Sequence, residues 1–218
     1  MPSNPVFILV PGAWHGPDAF DEVSHIVNRA GFSTVPINIP SVGGDFSVIG
    51  FDQDVACIRS ALQSLAEAGN DVIVVMHTYG SCPASEAMKG LAKAERENRG
   101  QRGGVIGLVF VCAFVLLVGE SLFEKTGGVP QPWYSIDGDF LRVTTPKATF
   151  FNDLDDEEAQ PWISDSNCAA FSGSIFNSCM GVVFSALSML AMAKTSRAVA
   201  AVVTTCGIST YQGIVIEL

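Results

Sequence analysis

Val72-Ile-Val-Val-Met-His-Thr-Tyr-Gly-Ser81 decides the fold of this chain. A continuously apolar run of this length, closed by turn residues, fits a strand covered on both faces, as in a mostly parallel sheet. Ser81 to Arg99 then follows a helical period, so the stretch predicts strand, sharp turn and helix in succession. The same alternation extends outward in both directions. Upstream, Val6 to Val10 is a second buried strand that stops at Pro11-Gly12. Asp18 can cap a helix that carries Phe20, Val23, Ile26 and Val27 at helical spacing and stops at Gly31. Ser33 to Ile39 reads as an edge or irregular strand, because Pro36 and Pro40 interrupt it. From Phe51 to Ala68, Val55, Ile58, Leu62 and Leu65 share a helix face, with Asp52 and Asp54 in the favourable first turn. Downstream, Gly103-Gly104 precedes another apolar strand, Val105 to Cys112. Strands alternating with amphipathic helices predict βαβ units and a doubly wound, mostly parallel α/β sheet.

The bulk composition excludes several partners. A formal net charge of −10 argues against nucleic acid, which needs a basic surface. There is also no Lys/Arg block for an anionic membrane. The 6 cysteines form no C-x-x-C pair and no zinc spacing, so they read as buried free thiols of a reducing compartment. Met1 to Pro5 has no basic leader, and a cytoplasmic location is expected. No G-x-G-x-x-G or P-loop occurs, so no cofactor is expected. The acidic run Asp153 to Glu158 reads as a solvated helix start in preference to a metal site.

The chemistry lies in the turn after Met76. Met76-His77-Thr78-Tyr79-Gly80 has the outline of G-x-S-x-G, the nucleophile elbow that presents a strained hydroxyl to substrate. Only the second glycine is kept, and Thr78 stands at the nucleophile position. This segment resembles the G-H-S-Y-G-G elbow of small α/β hydrolases. Val10-Pro-Gly-Ala-Trp-His-Gly16 is similar to the V-H-G-A-x-H-G loop of the esterase and hydroxynitrile-lyase group. The likeness runs from about Val6 to Ile163 and includes a cap-like stretch after Cys112. It implies an α/β-hydrolase fold and, ancestrally, an esterase-type reaction on small ester substrates. It also implies that the backbone N–H groups of Ala13 and Tyr79 form an oxyanion hole, with Trp14 and His15 lining the pocket.

Two departures stand against turnover. A hydroxyl nucleophile needs a base in reach, and in this family the acid and then the histidine follow the nucleophile. The histidines here are His15, His25 and His77, and none follows Thr78. His15 is a loop residue, His25 a surface residue of the first helix, and His77 is expected to turn away into the core. Thr78 also adds a methyl at a turn where β-branched residues are strained. Cys82, a turn into the next helix, reads as a small core residue before it reads as a reactive thiol. Asp137, Asp139, Asp153 and Asp155 are acids without a base to serve. The catalytic triad is therefore expected to be disrupted.

Residues 1–165 form the expected hydrolase-like core, with a cap over about 119–164, and residues 166–218 a low-charge tail. Only Lys194, Arg197 and Glu217 are charged beyond Asp165. No further strand, acid loop and histidine loop can be matched to the tail, so the sheet is expected to be incomplete at its C-terminal end. An altered splice or reading frame near residues 164–170 would account for this, as would a diverged, non-catalytic protein. Two further functions compete with the hydrolase-like reading. One is a binder of a small apolar ligand in the same pocket. The other is a membrane-tethered protein using residues 175–193, although Ser, Gly, Ala and Cys make that stretch a mediocre span.

Overall fold

The computed structural model describes residues 4–43, 50–116, 119–122, 127–129, 131–137 and 140–165, with strand pieces at 171–172, 199–203 and 216–217. The N-terminal part alternates as the sequence predicts. β1 (Val6–Val10), α1 (Asp21–Arg29), β2 (Ser33–Pro36), α2 (Phe51–Glu67), β3 (Asp71–His77), α3 (Ser81–Ala87), α4 (Lys93–Glu97) and β4 (Gly104–Val111) follow in order. A hairpin of β5 (Tyr134–Asp137) and β6 (Phe140–Val143) comes next, then α5 (Pro146–Phe150) and α6 (Asp156–Asp165). β7 (Phe171–Ser172), β8 (Val199–Val203) and β9 (Ile216–Glu217) complete the described elements.

The main sheet has the order β2-β1-β3-β4-β8-β9, and every pairing is parallel except β8 with β9. Chain order and sheet order differ, so the connections cross over, which is the doubly wound arrangement. β8 pairs with β4 from Leu108↔Ala200 to Val111↔Val203, so the far edge of β4 is covered by backbone from the tail. The hairpin and β7 make a separate antiparallel sheet of order β5-β6-β7. The hairpin lies within the stretch expected to form a cap, and β7 lies beyond it.

The sheet's two faces are filled unequally. On one, Ile8, Val10, Val72, Val74 and Met76 pack against Ile58 and Leu62 of α2 and Ala84 and Ala87 of α3. On the other, the buried cluster is Leu9, Phe20 and Val75, with Phe7, Ile73, Val109 and Val111 only partly covered. α1 contributes no buried residue, and Ile26 is 64% exposed. The apolar spacing of Val23 and Ile26 thus forms a helix without, among the described residues, a surface to cover it. Its start also differs from the expected Asp18 cap. Pro17–Phe20 is a 3-10 turn, α1 begins at Asp21, and no side chain caps either one.

The long helix expected over Ser81–Arg99 is two short ones. Gly90, with φ 75°, turns the chain between α3 and α4, and Ala92 bridges to Val105 of β4. Arg59 donates Nη1 to the carbonyls of Ala87 and Lys89 at 2.9 Å each, so the end of α3 is satisfied by a side chain from α2. The acidic run behaves as expected. Asp155 Oδ1 accepts the N–H of Glu158 at 2.8 Å, and Glu158 reaches back to the N–H of Asp155, a reciprocal cap on α6.

Arg96 of α4 closes the layer. Its guanidinium is buried and donates to the carbonyls of Gly103 (2.9 Å), Ala66 (3.1 Å) and Arg102 (3.3 Å), joining the end of α2 to the turn before β4. Charge-assisted bonds of this kind outweigh neutral ones, and their loss strands buried carbonyls. Arg96→Ala is expected to destabilise the protein by about 2–4 kcal/mol in urea unfolding. A midpoint indistinguishable from wild type would show that solvent replaces the guanidinium.

Candidate functional site

Backbone strain gathers at one end of the sheet. Among the described residues, the non-glycine positions with positive φ are Trp14 (63°), Thr78 (42°) and Cys112 (44°). They follow the C-terminal ends of β1, β3 and β4, three neighbours in the sheet. For a β-branched residue such as Thr78 this conformation is a genuine outlier, of order 1–3 kcal/mol, and the surroundings must impose it. In open α/β sheets this end is where ligands bind.

Thr78–Gly80 forms a single 3-10 turn that passes directly into α3. The turn lies close against the loop after β1. A Cβ on Gly80 would collide with the carbonyl oxygen of Pro11 and come within 2.9 Å of Val10 Cγ1, which explains why this glycine is present. A Cβ on Gly12 would in turn land on Thr78 Cγ2 and lie 3.0 Å from His77 Nδ1. The Thr78 methyl therefore occupies the space that Gly12 leaves open. Behind the turn, Ser81 Oγ lies 2.7 Å from the Thr78 carbonyl, 2.8 Å from the Phe114 carbonyl and 3.1 Å from the Phe114 N–H. One hydroxyl thus ties the turn to the loop after β4.

Tyr79 is held from its side chain. Its phenol is buried and donates to Asp54 Oδ2 at 2.8 Å. The same carboxylate accepts Ser41 Oγ–H at 2.6 Å and Ser41 N–H at 3.0 Å. Asp54 is 0% exposed, and burial pushes its carboxyl up to about 6 against the pull of those hydrogen bonds. Burial, and then Asp54, raise the Cys57 thiol.

His15 and His77 face each other with ring centroids 6.3 Å apart. His15 Nδ1 lies 2.9 Å from the Ala13 carbonyl, which can only accept, so Nδ1 carries the hydrogen and Nε2 the lone pair. Burial lowers the His15 pKa, opposed by that carbonyl and by Asp18. Burial, then the neighbouring His15, push His77 down to about 4. His77 was expected in the core. As the last residue of β3 it instead reaches the loop after β1, beside Gly12.

Aromatic rings from the hairpin region complete the surroundings. Phe150 packs on His15 at 5.3 Å and on Trp14 at 5.8 Å, and Trp133 lies 5.4 Å from Trp14. Trp14 Nε1 donates to the Leu141 carbonyl at 2.8 Å, fastening β6 to the loop after β1.

Of the residues singled out from sequence, Ala13, Trp14, His15, Thr78 and Tyr79 come together at this end of the sheet. Cys82 packs with Trp14, Phe51 and Tyr79 in the apolar cluster behind it. Asp137 is elsewhere, exposed and paired with Arg142 at 2.9 Å, and Asp155 caps α6. Among the described residues no group of three or more His, Cys, Asp or Glu is placed to hold a metal. Sequence reasoning missed Asp54, Ser41 and the facing of His77 and His15. The signal for Asp54 was present, because it lies on the same face of α2 as Phe51, Ile58 and Leu62, all buried.

Comparison with known proteins agrees with this architecture. A model of the alpha/beta hydrolase family matches residues 7–207. The chain is 33% identical over 119 residues to the alpha/beta hydrolase nvfD of Aspergillus novofumigatus, covering 55% of this chain and 47% of that protein. It is 25% identical over 128 residues to the probable hydrolase R7 of a Phoma species, covering 58% and 49%. The chain spans about half the length of the curated relatives it matches. Among solved structures, tomato Methylketone Synthase I aligns with a TM-score of 0.61 at 14% identity, over 94% of this chain and 81% of that one. An extracellular alpha/beta-hydrolase from a Paenibacillus species aligns at 0.60 with 13% identity, over 91% and 77%. At these identities the likeness establishes the fold.

Two outcomes follow from the geometry. Gly12→Ala is expected to destabilise the protein by about 1–3 kcal/mol, and Thr78→Ser, which removes the methyl in its way, to recover most of that loss in the double variant. Strict additivity of the two changes in denaturant unfolding would contradict the contact. The second outcome concerns acid. His77 is held below its ordinary value of 6.5, so from 6.5 down to about 4 the unfolded chain binds a proton that the folded chain does not. Stability due to His77 is thus present above 6.5 and lost as pH falls through that window, by at most about 3 kcal/mol. Asp54, raised above its ordinary 3.8, acts in the opposite sense. Its contribution is present below 3.8 and lost as pH rises through about 6. His77→Gln should therefore gain on wild type as the solution is acidified. A constant difference between the two proteins across the window would count against a buried neutral His77.

Proposed function

The chain belongs to the alpha/beta hydrolase family, and from that membership we propose a hydrolase-like protein of esterase descent whose triad is disrupted at Thr78 and at the missing base. The ancestral reaction is acyl transfer to water. A hydroxyl oxygen at position 78 attacks the ester carbonyl while a base takes its proton, and the alcohol leaves as that proton is returned. Water then releases the acid from the acyl-enzyme. Ala13 and Tyr79 supply the two backbone N–H groups for the developing oxyanion.

One observation carries this reading. Thr78 keeps the left-handed backbone of an elbow at the end of β3, while every histidine of the chain precedes it. His15 turns its Nδ1 hydrogen to the Ala13 carbonyl, and burial weakens its basicity. His77 is weaker still. Residues 119–164 are proposed as the cap over the site. A small apolar ligand held without turnover is the second reading, favoured by the aromatic contacts of Trp14, Trp133 and Phe150. The candidate membrane segment, residues 175–193, lies outside the described residues, and no helix among those described is long and apolar enough to cross a membrane.

Thr78→Ser tests the proposal, with 4-nitrophenyl butanoate as activated ester. Loss of a triad member removes on the order of 10⁶ in rate, so without a base the variant should stay within about tenfold of wild type. A gain of roughly 10³ or more would show that a base is present after all.

A further inference from the structure

We propose that Asp54 is a positioning residue, which sets the backbone N–H following the nucleophile position by holding the Tyr79 phenol, and which couples that N–H to pH. The inference rests on the reading of Tyr79 as an oxyanion-hole donor. The geometry behind it is independent of that reading. Asp54 Oδ2 receives two hydroxyls, Tyr79 at 2.8 Å and Ser41 at 2.6 Å, while Oδ1 receives the Ser41 N–H at 3.0 Å. Both Asp54 and Tyr79 are sealed from solvent, at 0% and 2% exposure. The three neutral donors favour the ionised carboxylate, with two hydrogens on Oδ2 and one on Oδ1, while burial favours the neutral acid. If Oδ2 takes a proton from solvent, a third hydrogen enters a space already holding two. One of the hydroxyls must then turn its hydrogen away or move. Tyr79 has only two side-chain torsions, so displacement of its phenol is passed to its Cα and to the turn that follows Thr78.

Among the described residues, no cation is paired with this charge. Of the groups facing Asp54, the Tyr79 phenol and the Ser41 hydroxyl are hydrogen-bonded to it and Cys57 is the next thiol along α2. α3, packed on α2, brings Cys82 beside Tyr79 and also carries Glu86. None of the ion pairs among the described residues includes Asp54. The carboxyl is accordingly pushed up to about 6, mainly by burial, which places its ionisation close to neutrality.

The chain contains 3 tyrosines, Tyr79, Tyr134 and Tyr211, so selective ¹⁵N-tyrosine labelling of the full chain gives a sparse amide spectrum, in which Tyr79→Phe identifies the Tyr79 peak. The Tyr79 amide is expected to shift with a midpoint near pH 6, and to be flat over the same range in Asp54→Asn. Ser41→Ala, which removes one donor to the carboxylate, should move the midpoint upward and serves if Asp54→Asn does not fold. A Tyr79 amide that does not titrate, that titrates equally in Asp54→Asn, or whose midpoint ignores Ser41→Ala overturns the inference. Ethyl butanoate, a neutral ester that Asp54 does not repel, separates this from the reading beneath it. It should perturb the Tyr79 amide several-fold more strongly above the midpoint than below. An amide that titrates but ignores the ester keeps the Asp54 coupling and overturns the ligand role of Tyr79. An equal response at both ends of the range and in Asp54→Asn keeps the ligand role and overturns that of Asp54.

Discussion

Two stretches of backbone approach each other closely here because two glycines leave room, and the site depends on that approach. The loop leaving β1 runs over the turn leaving β3, with Gly12 and Gly80 at the two points where a Cβ would intrude. Because β1 and β3 are paired in register from Val6↔Val72 to Val10↔Met76, their ends are held level, and the two loops have no freedom to separate. The left-handed backbone of Thr78 is what remains when a strand must reverse into α3 in so little space. Strain at Trp14 and Cys112, after the flanking strands, belongs to the same edge. A stiff sheet supplies the constraint, and the loops absorb it in a few unfavourable torsions.

Much of this was legible beforehand, for a physical reason. Strands buried on both faces have no choice but to be apolar throughout, so Val6–Val10, Val72–Met76 and Val105–Val111 announce themselves. The sharp turn at Thr78–Gly80 was readable because the pattern places a glycine at fixed spacing after an apolar strand. Less accessible were features that depend on what lies opposite. Asp54 looked like a first-turn charge because its dipole role needs only local sequence, whereas its burial depends on Ser41 and Tyr79 arriving from other segments. His77 looked like a core residue because strand alternation says which face it takes, but not that the strand ends there beside Gly12. The break between α3 and α4 turns on a single positive φ at Gly90, which a helical apolar period does not register.

The hairpin region and the β1 loop hold each other in place through one residue. Trp14 contributes its indole N–H to the Leu141 carbonyl and its ring to Trp133 and Phe150. The loop that carries Ala13 is thereby fixed from above by β6 and α5, and from below by Gly80. The backbone of that loop is therefore held by packing on two sides, with little freedom to shift.

The pairing of β8 with β4 also sets an order of events during synthesis. Leu108 meets Ala200, so about 90 residues must leave the ribosome after the β4 edge before its partner exists, roughly 5–20 s at ordinary elongation rates. Throughout that interval β1, β3 and β4 can already be paired, with a row of unsatisfied N–H and C=O groups facing outward along Leu108–Val111. The nascent chain is thus open to wrong strand partners along β4 until β8 emerges to cover that edge.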